Sequence, residues 1–302
     1  MSNPQSLRNY VPTSLRAGAE REAARLPDLL ARAEHLAGAV LLGAHGRRRA
    51  GMGDDFWQYR PAQMGDSRRA IDHRRSAMGD QEFVREREWQ IAQSVMLWVD
   101  QGASMRFTSD ANLPQKADRA RLLGLALSIL LLRGGERVGL TGTTLPPRRG
   151  NPQVLRLAEM FCQDDAVDYS PPEHRAMIPH ARAVFVSDFM GELDGVQLAL
   201  TKAADRGVRG VLYHVLDPSE EAFPFTGRTI FESIGGTIRH ETLKANDLKG
   251  RYLERLAERK SELQRLCALT GWQYGLHHTD ASAQSALLWL YGALDARAGV
   301  AA

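Results

Sequence analysis

Short apolar runs separated by amphipathic stretches of helical period make up most of this chain. Val95, Met96, Leu97, Trp98 and Val99 form one run without clean alternation, the pattern of a parallel strand covered on both faces. Asp100 ends it. Ala183–Ser187 repeats the pattern before Asp188, and Gly210–Leu216 repeats it again before Asp217 and Pro218. Val138–Thr141 and Trp272–Leu276 read as further strands, and Phe83–Glu88 and Arg228–Phe231 as short ones. Helices fall between them. Pro27 and Asp28 open one that carries Leu29, Leu30, Ala33, Leu36 and Ala37 and ends near Gly43. Gln115–Arg133 places Ala120, Leu123, Leu127, Leu130 and Leu131 on one face and stops at Gly134 and Gly135. Others start at Asn151 and Pro152, span about 196–205 and 248–270, and close the chain through Leu287, Leu288, Leu290 and Leu294.

This alternation predicts an α/β protein with a doubly wound, mostly parallel sheet and right-handed crossovers. Residues 1–20 read as a flexible arm and residues 21–90 as an N-terminal accessory module of helix and short strands. Residues 91–302 make the α/β domain. With 302 residues, 43% hydrophobic and 25% charged, the chain can bury a real core. Its 39 Lys and Arg against 36 acids leave a net charge of +3, too small to imply nucleic acid. Cys162 and Cys267 suggest neither a zinc ribbon nor a disulfide framework, which favours a reducing, cytoplasmic setting. The first residues lack the apolar core of a signal peptide. Leu122–Leu132 is too short to span a bilayer and reads as a buried helix, so no transmembrane segment is expected.

Asp100 and Asp188 lie at the carboxyl ends of strands, the edge where open α/β sheets bind ligands. Asp100, Gly102 and Ser104 form D-x-G-x-S. With Asp188 they offer two carboxylates and a hydroxyl, hard oxygen donors suited to Mg2+, which leaves a coordination position for a partner's acid. A competing reading is that both aspartates cap the helices that follow them. A different class of function, a metal-dependent hydrolase, would use Asp100 and Asp188 to activate water, although no general base stands out. The chain has no G-x-x-x-x-G-K, H-E-x-x-H or G-x-S-x-G.

Elsewhere packing is the expected role. His277 and His278 point to opposite faces of a strand, Cys162 and Cys267 lie in apolar helical contexts, and the alternating charges of Arg251–Arg265 suit a solvated helix face. Arg68, Arg69 and Arg74 either pair with Asp66 and Asp72 or present a basic surface to an acidic partner. Phe56, Trp57 and Tyr59 beside Arg60 read as a satellite core or as an interface anchor.

D-x-G-x-S followed by Ser187-Asp188-Phe189 resembles the metal-ion-dependent adhesion site of von Willebrand factor A domains, which use D-x-S-x-S. Asp100 and Ser104 match the first and last members of that motif, and Asp188 matches the aspartate of the later strand end. Gly102 removes one hydroxyl ligand. Thr143, Thr144 and Ser170 are the candidates for the distant threonine. Upstream, R-P-A-Q-M-G-D-S-R-R-A-I-D-H-R-R-S-A resembles the signature of domain-of-unknown-function family 58. Gly65, Asp66, Arg69, Ile71, Asp72, Ser76 and Ala77 match in order, with His73 for the usual tryptophan and Met78 for the usual arginine. The likeness runs from about Gly46 to the last helix and takes in F-P-F-T-G and Tyr252. It implies a von Willebrand factor A-like domain with Mg2+ on Asp100, Ser104 and Asp188. It also implies a non-enzymatic adaptor beside a MoxR-type AAA+ ATPase in complex assembly or activation, with Gly102, Arg68, Arg69 and Arg74 toward an acidic protein partner.

Overall fold

The apolar runs become five strands of one sheet. The computed structural model describes residues 13–44, 56–63, 71–77, 79, 81–87, 92–165, 167–233, 236 and 239–295. In chain order these form α1 (Thr13–Ala44), β1 (Phe56–Pro61), α2 (His73–Ser76), β2 (Phe83–Arg87), β3 (Ser94–Val99), α3 (Lys116–Arg133), β4 (Arg137–Leu140), α4 (Asn151–Phe161) and β5 (Arg182–Ser187). There follow α5 (Leu193–Asp205), β6 (Arg209–Leu216), α6 (Pro218–Ala222), β7 (Thr229–Glu232), β8 (Arg239–Thr242), α7 (Ala245–Thr270), β9 (Gln273–His278) and α8 (Ala283–Asp295).

The main sheet is ordered β4-β3-β5-β6-β9, and every neighbouring pair is parallel. The first crossover moves from β3 outward to β4, and the next returns past β3 to β5. Winding therefore reverses between β3 and β5. At such a reversal the crevice outside the carboxyl ends is where α/β sheets place ligands. Asp100 and Asp188 follow these two strands.

Successive side chains of a strand point to opposite faces, so each strand contributes to two cores. Val95, Leu97 and Val99 of β3 and Val184 and Val186 of β5 pack with α1, α3, α4 and α8, whereas Met96, Phe185 and Leu212 pack with α5 and α7. Every residue from Leu122 to Leu131 is buried, because α1 lies against the side of α3 that the sheet does not cover. That stretch is the buried helix its length implies. Among the described residues no helix is long and apolar enough to cross a membrane.

Two differences from the sequence pattern have physical causes. Of the arm expected over residues 1–20, residues 1–12 lie outside the described residues, while residues 13–20 open α1, which continues through Pro27 instead of starting there. An interior proline removes a backbone hydrogen bond at about 3 kcal/mol. The Ala-, Glu- and Arg-rich run before it has high helix propensity, and Leu29, Ala33, Ala37 and Val40 beyond it are buried. The second difference is β8. Arg239–Thr242 pairs antiparallel with β7, although R-H-E-T carries no apolar alternation, because the partner strand and not the side chains fixes its conformation.

The expected strand at Phe83–Glu88 is present as β2, antiparallel to β1. Asp72 caps α2 by accepting the Arg75 N–H at 3.0 Å. The Ser76 hydroxyl donates to the Asp72 carbonyl at 2.8 Å and accepts from the Phe83 N–H at 2.9 Å. These two signature residues thus join a helical turn to β2.

Candidate functional site

Loops leaving β3, β5 and β6 meet at the carboxyl edge of the sheet, and buried side chains tie them together. Asp100 and Asp188 are each only 1% exposed. Asp100 Oδ1 accepts from the Gly102 N–H at 2.8 Å, and Oδ2 accepts from the Ser187 hydroxyl at 2.6 Å. Asp188 Oδ1 accepts from the Met190 N–H at 3.1 Å. Each aspartate folds its own loop by binding the N–H two residues on. Helix capping is found at the third strand end. There Asp217 and Glu220 form a capping box on α6, and Asp217 Oδ2 also accepts from the Ser109 N–H at 2.9 Å, which pins the loop after β3 to the end of β6.

At the centre is a residue the sequence pattern did not single out. Lys116, in the first turn of α3, is 1% exposed. Its ammonium donates to Asp188 Oδ2 at 2.7 Å and to Glu220 Oε1 at 2.6 Å, while Glu220 Oε2 accepts the Asp217 N–H at 2.8 Å. One cation therefore links α3 to the loop that follows β5 and to α6, which follows β6.

Burial alone would raise the Asp188 carboxyl, but the charge and hydrogen bond of Lys116 outweigh it and hold the group below its usual range. Burial would likewise lower Lys116, yet Asp188 and Glu220 keep its ammonium above the ordinary value. Among the described residues no such cation contacts Asp100. Burial, with the charge of Asp188 adding to it, pushes its carboxyl up to about 7 against the Ser187 and Gly102 hydrogen bonds. An acid raised in the folded state contributes stability fully below its unfolded value of 3.8 and loses it as pH rises through about 7. Asp100→Asn stays neutral, so the wild type should lose about 2 kcal/mol relative to this variant between pH 5 and pH 8. Urea unfolding of both proteins at the two pH values measures this, and a pH-independent difference would show that Asp100 ionises normally.

The ion implied by the adhesion-site resemblance can be tested against these residues. The buried Ser104 hydroxyl would suit an ion, although it lies beside the Asp188 carboxylate and helps hold that group charged. The carboxylates do not. Both oxygens of Asp100 are occupied by donors of the protein, and the free face of Asp188 is taken by an ammonium. A Cβ at Gly102 would meet the Asp168 carbonyl at 2.9 Å and Asp100 Oδ1 at 3.0 Å, so the serine of the adhesion motif has no room. Of the threonine candidates, Thr143 donates to the Leu140 carbonyl at 3.2 Å and Ser170 to Asp165 at 3.3 Å. Among the described residues no group of three or more His, Cys, Asp or Glu is placed to hold a metal. The residues present do not fit Mg2+.

Gly102 is buried and Arg74 exposed; Arg68 and Arg69, with Gly65 and Asp66, lie outside the described residues, as do the side chains of Phe56, Trp57, Tyr59 and Arg60. His277 is buried against Tyr213, with ring centroids 6.0 Å apart, whereas His278 reaches Glu221 at 2.6 Å. The two histidines face apart. Cys267 is buried, which pushes its thiol up to about 12. Phe223 of F-P-F-T-G stacks with Phe231, Phe225 meets the same ring edge-on, and Tyr252 lies 4.9 Å from Phe223 between ring centroids.

Three site residues were within reach of the sequence. Asp217-x-x-Glu220 is a capping-box spacing. Lys116 carries the wrong charge for the first turn of a helix, where the dipole favours acids, and so needs a compensating partner.

A parallel sheet with helices on both faces and a buried charged network at its carboxyl edge defines the class: a mixed α/β protein whose strand-end aspartates hold loops in place. The chain belongs to the family described as Protein of unknown function DUF58, whose model matches residues 58–262. Among solved structures it is similar to the conserved hypothetical protein BatB from Bacteroides thetaiotaomicron, at 15% identity over 68% of this chain and 99% of that one, with a TM-score of 0.35. No curated protein matches the chain.

Proposed function

We propose that this is a non-enzymatic interaction protein with a von Willebrand factor A-like architecture. The loops beyond β3, β5 and β6 present a surface to a protein partner. As the family resemblance implies, that partner is a MoxR-type AAA+ ATPase, and the chain serves as its adaptor in assembling or activating a complex in the cytoplasm. One observation carries the reading. Asp100 and Asp188 are buried and already hydrogen-bonded within the protein, so they stiffen the edge instead of meeting a substrate. Residues that reach solvent there include Ser109, Asp110, Ala111 and Asn112 after β3 and Glu192 after β5. Arg74, which is exposed, belongs to a second contact area together with Arg68 and Arg69.

The hydrolase alternative needs a carboxylate open to water and substrate; the enclosure of both aspartates weighs against it. An immobilised MoxR-type AAA+ ATPase should capture the protein in biolayer interferometry, and Ala111→Arg should weaken capture at least about 10-fold without unfolding it. Absence of capture in every nucleotide state, or phosphoester turnover lost on Asp188→Asn, would overturn the proposal.

A further inference from the structure

We propose that Lys116 does here the work of the metal in an adhesion site: its ammonium is the built-in cation of the sheet edge, and the edge is metal-independent. This deepens the interaction reading and rests on it for the use of the edge, while the cation assignment stands on geometry. The ammonium is covered by protein and lies 2.7 Å from Asp188 and 2.6 Å from Glu220. It joins three elements that follow different strands, the arrangement a bridging ion would otherwise have to supply. A helix N-terminus disfavours a cation, so Lys116 is held in place by these carboxylates and not by its own helix.

A divalent ion bound to Asp188 would press against the ammonium within a few ångströms, in surroundings that screen charge poorly. Gly102 agrees with this assignment. It lacks the hydroxyl that an ion would use, and the Asp168 carbonyl and Asp100 Oδ1 fill the space where a serine would project. The consequence for recognition is specific. An ammonium whose neighbours are protein carboxylates has no open coordination position, so a partner's acid is not needed to complete it. Docking by this edge should be insensitive to chelators.

The test is calorimetric titration of Mn2+ and of Mg2+ into the wild-type protein, together with melting temperatures in EDTA and in excess Mn2+. The wild type should take up neither ion at this edge, and its melting temperature should not move. Lys116→Ala removes the built-in cation, so excess Mn2+ should raise its melting temperature by about 5 °C. Saturable wild-type binding that is lost in Asp188→Asn would overturn the inference, and so would a folded Lys116→Ala that gains nothing from Mn2+. Should that variant fail to fold, the wild-type titration still decides. Partner capture in EDTA separates the two readings: capture that requires Mg2+ overturns the built-in cation and leaves the adaptor standing, whereas absence of capture in either condition counts against the adaptor alone.

Discussion

Lys116→Met should destabilise the protein by about 3–5 kcal/mol at pH 7.5, because breaking a buried ion pair from one side leaves uncompensated charge in the interior. Methionine keeps most of the length and volume of the lysine stem, so packing is little changed and the loss is electrostatic. Asp188 then remains with 1% of its side chain exposed, beside Glu220 with 16%, and no cation between them. Two like charges so placed push each other's carboxyl upward. Stability of the variant is therefore fully present at low pH and lost as pH rises, so its deficit against the wild type should be smaller at pH 5 than at pH 8. The melting temperature should fall by roughly 10 °C. Lys116→Met/Asp188→Asn, which also removes the orphaned charge, should recover at least about 1 kcal/mol of the loss. Urea unfolding in EDTA measures all three proteins. A single variant within about 0.5 kcal/mol of the wild type would mean that the ammonium holds nothing together.

How much of this was legible beforehand depends on whether the physics is local. Apolar runs followed by aspartate locate β3, β5 and β6, and the three carboxylates do lie at one edge of one sheet. Burial on both faces writes itself into a continuous run. The role of Asp100 and Asp188 was not local. Choosing between ion ligand, helix cap and loop anchor depends on what stands opposite each oxygen, and Ser187 reaches Asp100 from 87 residues away while Lys116 reaches Asp188 from 72. Within its own segment Lys116 shows only that a cation in the first turn of α3 needs a partner, not which carboxylates supply it. Likewise α1 covers α3 through a long-range contact that no periodicity announces, which is how residues assigned to an accessory module come to share a core with the sheet.

The same edge depends on the spacing of β5 and β6, and Gly210→Ala should disturb it most directly among single backbone-level changes. Gly210 pairs with Ala183, and a Cβ added there would run into the Ala183 carbonyl oxygen. No rotamer relieves a clash between Cβ and backbone, so one strand must move away from the other. Overpacking of this kind costs about 3 kcal/mol or more. Because β5 leads to Asp188 and β6 leads to Asp217 and Glu220, a shift between them also lengthens the bonds that Lys116 makes to both. The loss should therefore exceed that of the clash alone and shrink when Lys116 is already Met, a coupling that a double-mutant cycle reads directly. Gly250→Ala is the control. It lies exposed in α7 with nothing within 4 Å of an added Cβ, and it should stabilise by about 0.5–1 kcal/mol through helix propensity. Equal effects at the two glycines, or additivity of Gly210→Ala with Lys116→Met, would show that strand spacing and the ammonium network are independent.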